Sequence, residues 1–479
     1  MTSTEQGTDK PARDVVAPMP PLTLCYAFSS PNERTVISNE KAILDYNGKR
    51  YEGTAAVCIE LTPRAGIAIR VEVDDPHLAF EQFESHFSSD NNEPTILLPN
   101  CPALPEGFVT HVELPNMERT CITWHPRVSP VHALGSNTTK MSRIVFHLFN
   151  FRDFMGNNRT IEPYGNGGFC AIENITLGAD NWLVTVKSLS STSSTIRTLR
   201  DQGGFGLTHV GQFFCADGSD FSGAEASQFL IMLNHFLSFA RGAWVEPVCP
   251  VGFNRANERV WAEWSTPHNA WNSNDTWFDA HHATQLETLF PLFLRLWQRP
   301  GWHDTLHEVL YWHLNANDSH RGIDPGIILT QNALERLAFE YVVRDRGMLE
   351  SQGFKDLRAS DKLRLLLASL DIPVGIPEEL THLRKLADQR DIKWKDLPHA
   401  LTEFRNSLVH PDHKHRNAFE NAHYEAWCAG LWLIDLTLLR LCGYQGTYGN
   451  RLKRRTVGHV EQVPWQKAGV VPNDEEVSP

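Results

Sequence analysis

The sequence predicts an α+β protein in which a β-rich N-terminal region is followed by a C-terminal, all-helical bundle. Residues 22–215 contain short, partly alternating segments rich in β-branched residues, separated by clusters of Pro, Gly, Asn and Ser, which is typical of strands joined by turns. At residue 222 the spacing of apolar residues changes to that of a helix, and from Asp324 onward almost every segment keeps it. The chain has 479 residues, 41% of them hydrophobic, so it is long enough for large cores and about two to four domains.

Two local signals define elements of the N-terminal region. Residues 41–51 read as two strands around an Asn-Gly pair at 47–48, which is a strong hairpin signal. Ser222 and Glu225 form a capping box, in which the serine caps an early backbone N–H and the glutamate reaches back to the cap. The helix that begins there is predicted to end at Gly242.

The rest of the chain is predicted to be mostly helical. A strand-like stretch at 244–264 is followed by helical patterns at 278–298 and 302–316, and Pro291 is expected to kink or interrupt the first of these. Asp324 is expected to cap the next helix, with a proline at its first position. Four further helices are predicted, at residues 360–370, 378–389, 397–410 and 418–441.

These elements divide the chain into four parts. Residues 1–21 are rich in proline and predict a disordered tail, and residues 461–479 predict a second, acidic one. Residues 22–320 are interpreted as a β-rich recognition or sensor region with some helices. Residues 321–460 are interpreted as the helical bundle.

Composition excludes several classes of protein. No apolar stretch is long enough to cross a membrane, and the polar first residues predict no secretory signal. The nine cysteines are scattered without a C-x-x-C pair, so neither a disulfide framework nor a cysteine-rich zinc site is expected. This use of cysteine predicts a cytoplasmic location. His303 and His307 lack the glutamate of the H-E-x-x-H pattern, and no metal or other cofactor is expected. A net charge of −13 argues against non-specific coating of nucleic acid.

The strongest candidate for chemistry is the group Arg405, Asn406 and His410, which lies at the end of the helix predicted at 397–410 and before the one predicted at 418–441. Arginine offers a charged planar fork that fits a phosphate, histidine can exchange a proton near neutral pH, and asparagine can orient either group. The spacing alone is weak evidence, because Arg127 and His132 repeat it in a proline-containing loop. The alternative is a solvated arginine beside an ordinary surface histidine.

Two further groups of residues leave two interpretations open. Residues 401–460 carry an excess of three positive charges, and the densest basic run is either a contact for RNA phosphates or a solvated segment; it comprises Arg451, Lys453, Arg454 and Arg455. Tryptophans 261, 264, 271 and 277 either stack bases or belong to a buried core.

Residues 404–411, placed before the last long helix of an all-helical region, resemble the signature of the HEPN superfamily. The segment 443–451 after that helix adds to the likeness. The combination of one such unit with a long β-rich N-terminal region resembles the ApeA-type abortive-infection proteins of bacteria. That second likeness concerns the first 300 residues and rests on this architecture and on the stretch from 208–212 through 236–242.

The resemblance implies a metal-independent endoribonuclease that acts in anti-phage defence or stress. Two units would pack face to face, so a homodimer through the bundle is expected, and the surplus of apolar residues at 418–441 is interpreted as its interface. Arg405 would hold the scissile phosphate, His410 would act as general acid or base, and Asn406 would orient them. The N-terminal region would sense a phage-derived trigger or the RNA substrate. The alternative is a non-catalytic HEPN protein for dimerisation or for binding a nucleotide or nucleic acid.

Overall fold

The computed structural model describes residues 21–79, 93–101, 104–115, 118–164, 168–410, 419, 421–454 and 456–466. It confirms a mixed α+β protein with a β-rich N-terminal half and a helical C-terminal region. Apart from its last residue, the tail predicted at 1–21 lies outside the described residues, and so do Arg455 and residues 467–479.

Six N-terminal strands form an antiparallel sheet in the order β4-β1-β2-β3-β6-β5. The predicted hairpin around residues 47–48 is confirmed, because Asn47 (φ 50°) and Gly48 (φ 75°) form the turn between β1 and β2 in the left-handed conformation that such turns need. The strands are β1 Thr35–Tyr46, β2 Lys49–Glu60, β3 Gly66–Val73, β4 Thr95–Leu97, β5 Gly107–Glu113 and β6 Thr120–Pro126.

A second antiparallel sheet has eight strands in the order β10-β11-β12-β13-β9-β15-β16-β7. Short strands β8 and β14 pair with each other, as do β17 and β18. The strands are β7 Val131–Leu134, β8 Lys140–Met141, β9 Arg143–Phe149, β10 Asn158–Tyr164, β11 Gly168–Ala179, β12 Trp182–Ser188, β13 Leu207–Cys215, β14 Phe221–Ser222, β15 Pro247–Phe253, β16 Arg259–Trp264, β17 Thr447–Tyr448 and β18 Glu461–Gln462.

Ten α-helices lie within the described residues from 168 onward. Helix α2 begins with the predicted capping box of Ser222 and Glu225 and ends at Gly242 in the left-handed conformation, so both of its predicted ends are confirmed. The helices are α1 Thr192–Gln202, α2 Gly223–Arg241, α3 Thr284–Gln298, α4 Trp302–Ala316, α5 Ile323–Phe339, α6 Ser351–Asp356, α7 Ala359–Ser369, α8 Thr381–Ala387, α9 Leu397–Val409 and α10 His423–Cys442. A 3-10 turn at Ser319–Arg321 and a π-helical turn at Glu340–Asp345 flank α5.

Several predicted boundaries differ from those of the structure. Helix α3 begins at Thr284, six residues later than the pattern at 278–298 predicts, and it continues through Pro291. Helix α5 starts one residue before Asp324, which lies in its first turn instead of capping it. Part of the tail predicted after residue 460 packs on the helices: Val463 is buried, and Nε1 of Trp465 donates a hydrogen bond to a backbone carbonyl 2.7 Å away.

The eight-stranded sheet is the middle layer of the fold. On β9, Phe146 and Leu148 belong to a core shared with the helices, whereas Phe149 belongs to the core beneath the six-stranded sheet. Because successive side chains of a strand point to opposite faces, the sheet separates two hydrophobic cores. The helix-side core extends from Met141 to Val463 without a break at the junction between sheet and helices.

Helix α10 is buried by its own chain. Its buried residues lie on all sides, among them Leu431, Trp432, Leu433 and Ile434, and it packs against α3, α4, α5, α8 and α9. A helix that is apolar all round is typical of the centre of a large protein. The apolar surplus of this helix therefore carries no argument for a dimer interface. In the part of the chain that the structure describes, no helix has the length and apolarity needed to cross a membrane.

Candidate active site at the end of helix α9

Helix α9 carries the predicted site residues and begins at a strongly fixed cap. The Asp396 carboxylate accepts a hydrogen bond from the backbone N–H of His399 at 3.0 Å. Arg364 of α7 donates to the same carboxylate from Nε (2.6 Å) and Nη2 (3.0 Å). A capped N-terminus with a bidentate arginine contact holds the helix in one position relative to α7.

The apolar face of α9 anchors it in the core. The Phe404 ring stacks on Phe419 with 4.6 Å between ring centroids, and Trp394 lies 5.7 Å from it. Leu397 and Leu401 are buried on the same helix. This packing leaves Arg405 and Asn406 half-buried at the edge of the bundle and His410 exposed at the end of the helix.

The structure joins the side chains of Arg405 and Asn406, whereas His410 is linked to them through its backbone alone among the described residues. Nη1 of Arg405 donates to Oδ1 of Asn406 at 3.3 Å, and Nε of Arg405 is buried without a hydrogen-bond partner among the described residues. The backbone N–H of His410 donates to the carbonyl of Asn406 at 2.9 Å. Within the same residues Arg405 forms no ion pair, so its guanidinium can bind an external anion, and the exposed His410 ends the same helix.

The basic run after α10 differs from its prediction. Both interpretations, contact with RNA phosphates and a solvated segment, place the Arg451 side chain at the surface, but it is only 3% exposed and forms an ion pair with Asp435. Lys453 is half-buried and pairs with Glu461, whereas Arg454 is exposed. The local run of positive charge therefore includes one residue that is part of the protein interior.

Arg451 and Asp435 form the centre of a buried polar cluster. Nε and Nη2 of Arg451 lie 2.9 and 2.7 Å from Oδ2 of Asp435, and its Nη1 donates to Asn317 at 2.9 Å. Nε2 of His313 lies 3.3 Å from the other carboxylate oxygen. Burial by itself would raise the pKa of Asp435, but Arg451 and His313 outweigh it and hold that pKa below its usual value.

Sequence reasoning missed a group of arginines in the β-rich half. A cavity of about 520 Å³ is lined by four of them, and we call this cavity the arginine pocket: Arg152, Arg197, Arg200 and Arg241. The available signals were weak, namely two arginines three residues apart on α1 and one in the stretch 236–242. Trp271 also lines this pocket, whereas Trp261, Trp264 and Trp277 are buried in the cores.

No metal centre is formed by the described residues. Among them, no three His, Cys, Asp or Glu side chains are placed to hold a metal ion together.

Two family models match this chain. The YopA central domain matches residues 136–275, and the YopA C-terminal domain matches residues 299–462. The SPbeta prophage-derived uncharacterized protein YopA of Bacillus subtilis is 30% identical over 340 residues, which cover 70% of this chain and 74% of that protein. This chain belongs to the YopA family. No solved structure matches it.

The YopA domain limits agree with the layers of the fold. The central domain contains most of the eight-stranded sheet with α1 and α2, and it supplies nearly all of the arginine pocket. The C-terminal domain contains Arg405, Asn406 and His410 as well as the buried ion pair of Arg451. The six-stranded sheet precedes both matched domains. The HEPN resemblance of residues 404–411 stays a prediction.

Proposed function

We propose that this YopA-family protein is a metal-independent endoribonuclease whose site contains Arg405, Asn406 and His410. The observation that carries the proposal is the state of Arg405, whose guanidinium lies against Asn406 and has no carboxylate partner among the described residues. A half-buried guanidinium near the end of a helix that finishes at an exposed histidine is suited to a phosphodiester. The residue pattern of the HEPN superfamily agrees with this chemistry.

In the proposed reaction the ribose 2′-oxygen attacks the adjacent phosphorus. An imidazole accepts the 2′-OH proton, the bond from phosphorus to the 5′-oxygen breaks, and the leaving oxygen receives a proton. Arg405 stabilises the charge that develops on the phosphate oxygens, and Asn406 holds the guanidinium through its side-chain oxygen. The products carry 2′,3′-cyclic phosphate and 5′-OH ends.

A second copy of the chain supplies the second imidazole in this proposal. One His410 per chain provides one proton-transfer group, whereas base and acid act on opposite sides of the phosphorus. We therefore propose a two-fold homodimer in which the ends of the two α9 helices face each other. This part rests on the HEPN resemblance, because α10 is covered within the monomer.

The biological setting that we propose is anti-phage defence or stress. The Bacillus relative is described as prophage-derived, which supports a role in the encounter between phage and bacterium. The six-stranded sheet lies outside the matched domains and is our candidate for the part that recognises a phage-derived trigger or the RNA.

The test compares the full-length wild-type protein with Arg405→Ala and His410→Ala on total RNA, in the presence of EDTA. Each variant should lose about 100-fold or more of the cleavage rate, which is the range for a general acid or base, while its circular dichroism stays unchanged. Arg127→Ala is the matched control, because Arg127 and His132 have the same spacing outside the helices.

Full cleavage by folded His410→Ala would remove the site assignment. Products with 5′-phosphates, or activity that is lost on chelation and restored by a divalent metal, would point to a metal-dependent mechanism instead. RNA that the wild-type protein binds but leaves intact would favour the non-catalytic alternative.

A further inference from the structure

The arginine pocket lies in the central domain, on the side of α1. One face of this helix contributes Ser193, Ile196, Arg197 and Arg200, which recur at the spacing of a single helical face. The end of α2 contributes Arg241, and residues 152–153 and 271–275 complete the wall. A volume of about 520 Å³ lies within the roughly 300–1,000 Å³ of small-ligand pockets.

Arg241 brings a buried positive charge to this pocket. Its side chain is 2% exposed, and the guanidinium lies over the Trp271 ring at 4.8 Å. Nε donates to the backbone carbonyl of Asn150 at 3.0 Å and Nη2 donates to that of Asn272, but Nη1 has no hydrogen-bond partner among the described residues. Within these residues it also lacks an ion pair, so only neutral groups compensate its charge. A buried charge without a counter-charge is costly and rare.

Two further arginines of the pocket are free of partners. Arg197 and Arg200 are exposed, and neither forms an ion pair or a side-chain hydrogen bond within the part of the chain that the structure describes. Two carboxylates, Asp153 and Asp275, also line the pocket, so the four arginines leave an excess of positive charge. Asp153 also accepts a hydrogen bond from Ser193 at 2.8 Å.

We propose that the arginine pocket binds the phosphate group of a small phosphorylated molecule of about mononucleotide size. Planar guanidinium forks match the oxygens of a phosphate, and three arginines converge on the pocket from two helices. A phosphate would supply the counter-charge that Arg241 lacks. A neighbouring cavity of about 440 Å³ shares Asp153, Ser193, Arg200 and Ala280 with the pocket and offers room for the rest of the molecule.

A small ligand fits the pocket better than an RNA strand. The buried position of Arg241 places one of the charges at the inner wall of a cavity, where a terminal phosphate can approach more closely than a continuous backbone. The protein as a whole carries a net charge of −13, which weakens long-range attraction of a polyanion.

The test measures binding to the full-length protein by calorimetry at constant ionic strength. The probes are AMP, ribose 5-phosphate and inorganic phosphate, with adenosine and ribose as unphosphorylated counterparts. The Arg197→Ala/Arg200→Ala double variant changes two exposed residues and should fold normally. We expect it to bind the phosphorylated probes about tenfold more weakly or worse, because each lost charge-assisted hydrogen bond has an effect of that order. Arg390→Ala, an exposed arginine outside the pocket, should bind like wild type.

Three results would overturn the proposal. The first is that no phosphorylated probe binds wild-type protein. The second is that the double variant binds as tightly as wild type, or that adenosine binds as tightly as AMP. The third is that a single-stranded RNA oligonucleotide binds through these arginines while the small probes do not, which would make the pocket a nucleic-acid contact. None of these measurements requires cleavage, so their outcome is independent of the site at Arg405.

Discussion

Replacing Asp435 by asparagine should strongly destabilise the protein. The change keeps the size of the side chain but removes the counter-charge of Arg451, whose side chain is 3% exposed. Besides the new amide oxygen, Arg451 would retain two neutral acceptors, Asn317 at 2.9 Å and the Asp275 carbonyl at 3.4 Å. Breaking a buried ion pair on one side costs about 3–5 kcal/mol. Because two neutral acceptors remain, we expect a loss near 3 kcal/mol for Asp435→Asn.

Urea unfolding followed by tryptophan fluorescence measures this loss. Arg454→Ala is the matched control in the same segment, because Arg454 is exposed, and it should change the free energy of unfolding by less than about 0.5 kcal/mol. The double variant Arg451→Met/Asp435→Leu removes both charges together and should be more stable than Asp435→Asn, since apolar replacement of a buried pair is often nearly neutral.

A loss below about 1 kcal/mol for Asp435→Asn would contradict the structural role of this pair, because so small a value is typical of exposed ion pairs. Arg451 would then be available to bind RNA, as its sequence position first suggested. Normal stability of Arg451→Ala combined with weaker RNA binding would give the same conclusion.

Two further predictions concern His147 and Gly242. Burial lowers the pKa of His147 to about 4, and its neutral ring donates from Nδ1 to the Val248 carbonyl at 3.0 Å and accepts the Cys25 N–H at Nε2 at 3.2 Å. As the pH is lowered, the unfolded state therefore binds the proton before the folded state does. The free energy of unfolding is unaffected above pH ~6.5 and decreases by about 1.4 kcal/mol for each pH unit from ~6.5 down to the folded pKa. Between pH 7.5 and pH 5 the free energy of unfolding should decrease by about 2 kcal/mol more in wild type than in His147→Gln. Equal decreases in the two proteins would refute this prediction. Gly242→Ala should lower the free energy of unfolding by more than about 1 kcal/mol, because φ is +71° and the new Cβ would lie 2.8 Å from both Asn317 Nδ2 and the Asp275 carbonyl. Gly443→Ala, with φ +79° and open space around the Cβ, is the control for the backbone strain alone, and an equal effect of both changes would show that the contacts are harmless.

Local signals in the sequence predicted local structure well. The Asn-Gly pair at 47–48 and the capping box at Ser222 act within a few residues, so all the residues that determine these two structures are close together in the sequence. The strand order of the eight-stranded sheet could not be predicted in this way, because it depends on distant residues. Strand β9 pairs with β13 and β15, which follow it by more than fifty residues. Nothing in the pattern of β9 itself identifies those neighbours.

Charge patterns were the least reliable guide to the site. Arg451 looked like part of an exposed basic run, yet its partners Asp435 and Asn317 lie 16 and 134 residues earlier in the chain. Arg197 and Arg241 come from different helices and meet only in the folded protein. By contrast, Arg405 and Asn406 are neighbours in sequence, and their contact could be anticipated from the sequence alone.

The core between the eight-stranded sheet and the helices has a consequence for how this protein can evolve and be controlled. Between ring centroids, Phe239 of α2 in the central domain lies 6.1 Å from His313 of α4 in the C-terminal domain, and Trp277 lies 6.1 Å from Tyr444. A fragment such as residues 321–479 would expose the apolar side of this interface to water. The two YopA domains are therefore expected to unfold as one cooperative unit and to be inherited as a pair. A change in the sheet could alter the end of α9 only through packed side chains, since the helices cannot detach from the sheet without losing their core.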